Sequence, residues 1–181
     1  MRKIVITALV GCFAATTLGF VLPPAVLRYF SSPDGLALLA VRVSDPLQKA
    51  ARARLSMTRI NGYTGERRTV WQCECRYVPN VVLVKDPNAV ILVGCWNNPG
   101  DRPVLAFLGD GGTTLKEYQA KDLFSADVIE ANTTADGLTG DLFRDSTQAF
   151  VENEYRITWE KGRVLRFDLA TGNLVETETE R

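Results

Sequence analysis

The chain of 181 residues contains no histidine. That absence removes Ser-His-Asp and Cys-His catalysis, histidine-based zinc sites and the usual neutral-pH general base. No Cys-x-x-Cys pair occurs, so the redox motif of dithiol oxidoreductases is missing. No glycine-rich loop follows a strand and opens a helix, which leaves nucleotide binding without a motif. No basic stripe interrupts the body either. Residues 1–30 hold Arg2, Lys3 and Arg28 and no acid, leaving 18 basic and 21 acidic residues in the rest. A mildly acidic body has no electrostatic footprint for nucleic acid, and nothing in the sequence calls for a cofactor or a metal.

Charge is also lacking at the N-terminus, and there it is informative. Behind Arg2-Lys3, residues 4–22 form 19 positions without a charge, followed by Pro23-Pro24. As a helix that run spans roughly 28 Å, about one hydrocarbon core. The basic pair in front predicts a cytoplasmic N-terminus and an extracytoplasmic body. An uncleaved membrane anchor is the leading reading. It places Gly11, Ala15 and Gly19 at i+4 spacing, a small-residue face for contact with a second helix or a second copy. A cleaved signal peptide is the second reading, with Thr17 and Gly19 flanking a cut before Phe20. The third is lipidation, because Leu9-Val10-Gly11-Cys12 resembles the lipobox of bacterial lipoproteins. The expected organisation is therefore a signal or anchor over residues 1–30 and an extracytoplasmic β-domain over residues 31–181.

The body alternates with period 2. Trp71, Cys73, Cys75 and Tyr77 are interleaved with Gln72, Glu74 and Arg76, and Tyr155, Ile157 and Trp159 with Arg156 and Thr158. Such segments are half-buried strands. Residues 155–169 predict a hairpin across Lys161-Gly162. Continuous apolar runs at 36–43, 81–84, 89–95 and 104–108 predict central strands covered on both faces. Turn residues recur at Asn61-Gly62, Asp86-Pro87-Asn88, residues 97–101, residues 109–112 and Thr171-Gly172-Asn173. This spacing predicts an all-β antiparallel meander, built as blade-like sheets or a small sandwich, behind one N-terminal hydrophobic helix. Short helices are expected after Asp45-Pro46 and at residues 121–124. Residues 126–148 read as a long loop or irregular edge.

Two segments carry a resemblance. SSPDGLALLAVRV at 31–43 resembles the Ser-Pro-Asp-Gly turn and following strand of WD-repeat propellers, and GRVLRFDLATGNLVE at 162–176 resembles the outer hairpin of quinoprotein-type blades. Residues 60–71 repeat the Thr-Gly turn with Asn61 in the aspartate's place, and residues 107–118 follow its rhythm. A propeller needs at least four blades of about 40–45 residues, so the body holds three at most. The resemblance implies blade-like sheets and carries no site motif.

Candidate chemistry is sparse, and no catalytic set is assigned. Extended geometry keeps Cys73 and Cys75 about 7 Å apart on one face, within reach of Cys95 on a neighbouring strand. A Cys95 disulfide to either one and plain buried thiols remain the alternatives. Carboxylates collect at Asp122, Asp127, Glu130, Asp136, Asp141 and Asp145. A solvated loop is the first reading. The alternative is a carboxylate-dependent hydrolase of envelope polysaccharide using Glu130, Asp136 and Asp141. Asn132-Thr133-Thr134 matches a glycosylation sequon. Trp71, Trp96 and Trp159 read as core residues before they read as a stacking platform. The expectation is a membrane-anchored or exported binding module.

Overall fold

The computed structural model describes residues 27–44, 52–94, 100–134, 137–138, 140–143, 145–159 and 162–179. The candidate helix-contact residues Gly11, Ala15 and Gly19, together with Cys12, Cys95, Trp96 and Asp136, lie outside them. Among the described residues no helix is long and apolar enough to cross a membrane.

Short turns return each strand beside the one before it, and the result is three four-stranded antiparallel meanders. The first sheet comprises β1 (Leu27–Ser31), β2 (Ala37–Ser44), β3 (Arg52–Ile60) and β4 (Arg67–Cys75). The second comprises β5 (Val81–Asp86), β6 (Ala89–Val93), β7 (Leu105–Leu108) and β8 (Thr114–Tyr118). Between the second and third stand α1 (Ala120–Leu123), α2 (Ala126–Ala131), a two-stranded ribbon of β9 (Thr133–Thr134) and β10 (Gly137–Leu138), and a 3-10 turn at Gly140–Phe143. The third sheet comprises β11 (Ser146–Val151), β12 (Glu154–Trp159), β13 (Arg163–Asp168) and β14 (Leu174–Thr179). β1 begins before residue 31, so the first sheet takes in residues on the N-terminal side of the expected boundary.

The sheets stack face to face with the second in the middle. β6 and β7 are buried on both sides, as their unbroken apolar runs predict. Val90, Leu92, Ala106 and Leu108 pack toward Leu39, Val41, Leu55 and Met57 of the first sheet. Ile91, Val93, Leu105 and Phe107 pack toward Tyr155, Ile157, Leu165 and Phe167 of the third. Period-2 alternation thus feeds two cores from one sheet.

Four expectations need correction. The run at 81–84 forms β5, an edge strand with Val81 exposed, rather than a central strand covered on both faces. β2 is apolar along much of its length, yet only Ala37, Leu39, Val41 and Val43 are buried, because nothing among the described residues covers its other face with a core. Of the helix expected over residues 47–54, residues 47–51 lie outside the described residues, and residues 52–54 belong to β3. Ala53, Leu55 and Met57 alternate into the core, and pairing with β2 and β4 outweighs the helix propensity of Ala and Arg. Residues 126–148 are not one irregular loop but hold α2, the ribbon, the 3-10 turn and the start of β11. The single helical turn near 121–124 is present as α1, where the Gln119 amide donates to Asp122 Oδ2 at 2.7 Å.

The outer turns repeat. The Tyr63 and Thr64 amides donate to Asn61 Oδ1, and the Gly65 amide to the Asn61 carbonyl. In the third sheet, the Thr171 amide donates to Asp168 Oδ1 and the Gly172 amide to the Asp168 carbonyl. Gly65 and Gly172 take φ of 70° and 72°, the left-handed region that such a turn requires. The second sheet closes with a shorter version at Gly109–Thr113, again with a left-handed glycine, Gly112 at φ 74°.

Candidate functional site

β1, β5 and β11 are the first strands of the three sheets, and each is an edge strand. Stacking sets these edges side by side, where they line a groove of about 620 Å³. β1 and the turn after it contribute Tyr29, Phe30, Ser31, Ser32 and Pro33; β5 contributes Val82, Leu83 and Val84; β11 contributes Gln148, Ala149 and Phe150. The lining is aromatic and aliphatic with a few hydroxyls and one amide, and it includes no carboxylate.

Each wall is held from behind. Arg28 donates to the carbonyls of Asn80 and Pro79 at 2.9 and 2.5 Å, and its guanidinium lies 5.6 Å from the Phe30 ring centroid. These contacts tie β1 to the segment that enters β5. Burial lowers the Arg28 pKa from its ordinary value. Lys85 donates to the Glu152 carbonyl, fastening β5 to the turn after β11. The Tyr155 hydroxyl donates to Gln148 Oε1 at 2.7 Å, and its ring stands 5.9 Å from Phe150. Burial raises the Tyr155 pKa, so the phenol keeps its proton. Tyr29, by contrast, is 61% exposed in the groove wall. The arrangement can hold an apolar or aromatic group beside unpaired strand edges, and its lining supplies no general acid or base.

The thiols lie elsewhere. Cys73 and Cys75 face a second cleft of about 320 Å³ between β4 and β8, Cys73 half-buried and Cys75 buried. Burial pushes the Cys73 thiol upward, which favours the protonated, unreactive form. Arg76 and Glu117 span this cleft at 2.6 Å. Their hydrogen bond raises the Arg76 pKa.

Of the carboxylates proposed from sequence, Asp136 lies outside the described residues. Glu130 is exposed on α2, Asp141 falls within the 3-10 turn, and no group of three potential metal ligands occurs among the described residues. Asn132 of the sequon caps α2, donating from Nδ2 to the Val128 carbonyl at 2.8 Å. Trp71 is buried and donates from Nε1 to the Pro87 carbonyl at 2.8 Å. Trp159 packs against Phe124 and Phe143 with centroids 6.0 and 6.5 Å away. Both tryptophans are packing residues. Sequence reading missed Tyr29, Phe30, Leu83, Gln148 and Phe150. The signal available was positional, since each sits on the first strand of a repeated unit.

No protein-family model and no curated protein matches the chain. Among solved structures, HIRA(644-1017) superposes with a TM-score of 0.50 at 14% identity, over 87% of this chain and 40% of its own length. A europium-containing methanol dehydrogenase superposes with a TM-score of 0.39 at 14% identity, over 91% of this chain and 27% of its own. The likeness is to propeller blades. It concerns fold alone, and it agrees with the blade-like turns at 31–43 and 162–176. The chain spans less than half the length of either structure.

Proposed function

We propose that this chain is a membrane-anchored or exported β-domain that works as a binding module, taking an extended, partly aromatic peptide segment of another protein along the three-strand groove. The observation that carries this reading is the convergence of β1, β5 and β11 on one cavity. Strand edges offer backbone donors and acceptors to an extended chain, and side-chain pockets beside them select its residues. Tyr29, Phe30 and Phe150 supply the aromatic surface, and Ser31, Ser32 and Gln148 the polar contacts. The charge-free run at 4–22 supports tethering to a membrane, which would hold such a module beside its partners.

A displayed library of short random peptides, selected on the full-length chain in detergent, tests the reading. Selected peptides should be rich in aromatic and β-branched residues. Tyr29→Ser and Leu83→Ser should each weaken them at least about tenfold, the effect of losing an anchor worth roughly 1.4 kcal/mol. Peptides that bind both variants as tightly as the parent chain would place the interaction elsewhere and contradict the proposal.

A further inference from the structure

The outer face of the first sheet is basic. One row across its strands runs Leu27, Arg42, Arg54 and Glu74, each set opposite the next by the pairing of β1 to β4. Arg52 lies on the same face opposite Ser44, and Arg67 opposite Ile60. The four arginines are exposed, and Glu74 is the acid that accompanies them on the described strands of this face. Arg42 stands directly opposite Arg54, and like charges so placed repel unless an anion neutralises them. Arg54 donates to the neutral Gln72 Oε1 at 3.0 Å. The outer face of the third sheet differs. There Glu154 and Asp168 accompany Arg156 and Arg166, and Glu154 pairs with both arginines at 2.9 and 2.8 Å.

Apolar groups stand beside the unneutralised charges. Leu27, 40% exposed, is the direct neighbour of Arg42, and Leu38 and Ala40 of β2 lie on the same face. Arginines set next to aliphatic side chains suit the boundary of a lipid layer, where the guanidinium forks meet phosphate and the aliphatic groups leave water. A nucleic acid offers the phosphates without the apolar layer. Covalent reach agrees. The charge-free run ends at Leu22, and Leu27 lies at most about 18 Å further along an extended chain.

We propose, resting on the membrane tether read above, that the outer face of the first sheet lies on anionic lipid. Arg42, Arg52, Arg54 and Arg67 take the headgroup phosphates, and Leu27 enters the layer beneath them. None of these residues lines the groove between β1, β5 and β11.

The test is arginine labelling of the full-length chain by phenylglyoxal in lipid nanodiscs, read by peptide mass spectrometry. One set of discs is phosphatidylcholine alone, and the other contains about one-third phosphatidylglycerol. The four arginines should label at least about threefold more slowly in the anionic discs, and about 0.5 M salt should remove most of the difference. Arg156 and Arg166 should label alike in both. Arg42→Gln with Arg54→Gln should return Arg52 and Arg67 to their phosphatidylcholine rates, yet leave binding of groove-selected peptides unchanged. Far-UV circular dichroism identifies a variant that fails to fold, and the parent rates decide without it. Equal rates in the two lipids would overturn the proposal, as would slowing shared by Arg156 and Arg166. Slowing by a short DNA duplex but not by phosphatidylglycerol would overturn it in favour of nucleic acid. The tether is read separately, from co-elution with phosphatidylcholine discs. A chain that elutes apart from them lacks the tether. The lipid face then stands only if phosphatidylglycerol discs still bind the chain and slow the same four arginines.

Discussion

Gly65 and Gly172 hold the same place in two copies of one turn, but their surroundings differ. A methyl on Gly65 would meet nothing within 4 Å, whereas one on Gly172 would lie 2.8 Å from Lys116 Cβ and 3.0 Å from Phe107 Cβ. Gly65→Ala should therefore cost only the left-handed backbone term, about 1–2 kcal/mol. Gly172→Ala should add about 1–3 kcal/mol of overpacking where the second and third sheets touch. Urea unfolding of the two variants measures the difference, and equal losses would mean the sheets do not meet there. The same contact is bonded through Tyr118, whose hydroxyl donates to the Gly172 carbonyl at 2.9 Å and accepts from the Leu174 amide at 2.8 Å. Burial is the main cause of its raised pKa. Tyr118→Phe strands both backbone groups and should cost about 1–3 kcal/mol by the same measurement. At this scale the sequence was informative about turns, because a Thr-Gly pair after Asn61 or Asp168 has few backbone options. It was silent on which glycine was crowded, since Lys116 and Phe107 lie more than 50 residues from Gly172.

Among the elements, β7 is buried at every position. Phe107 is fully buried, with ring centroids of Phe167, Tyr155 and Tyr118 at 5.2, 6.0 and 6.3 Å. Phe107→Ala should cost about 3–5 kcal/mol in thermal or urea unfolding. A loss below about 1 kcal/mol would show that the second core is not formed around it. Acid sensitivity belongs to β12 and β13. Hydrogen bonding from Arg166, then Arg156, holds the Glu154 carboxyl below the usual carboxylate range. A carboxylate with a lowered folded pKa stabilises fully above its unfolded value near pH 4 and loses that contribution as pH falls through the lower folded value. The melting temperatures of the parent and Glu154→Gln should therefore differ at pH 7 and converge toward about pH 2. A gap that widens on acidification would reverse the assignment. β4, β12 and β13 were legible because one face is apolar and the other polar. β3 was not, since Arg52, Ala53 and Arg54 suit a helix until Leu55 and Met57 are paired with their neighbours.

On the scale of the whole molecule, the fold is a short stack of repeated four-stranded sheets whose first strands converge. The blade rhythm and the limit of three units could be read from turn spacing and length. The groove could not, because it joins residues near 30, 83 and 149, and only the stacking order brings them together. The cross-strand arginine pair of the first sheet was hidden for a related reason. Arg42 and Arg54 lie far enough apart in sequence to form no charged run, and antiparallel pairing alone makes them neighbours. The measurement that bears most directly on the account is amide hydrogen exchange of the full-length chain, alone and with a peptide selected on it. Before binding, exchange should be slowest in β6 and β7 and faster along β1, β5 and β11. Binding should then slow exchange at 27–31, 81–86 and 146–151 together. Slowing confined to β4, β8 and β14, at the opposite edges of the sheets, would contradict it.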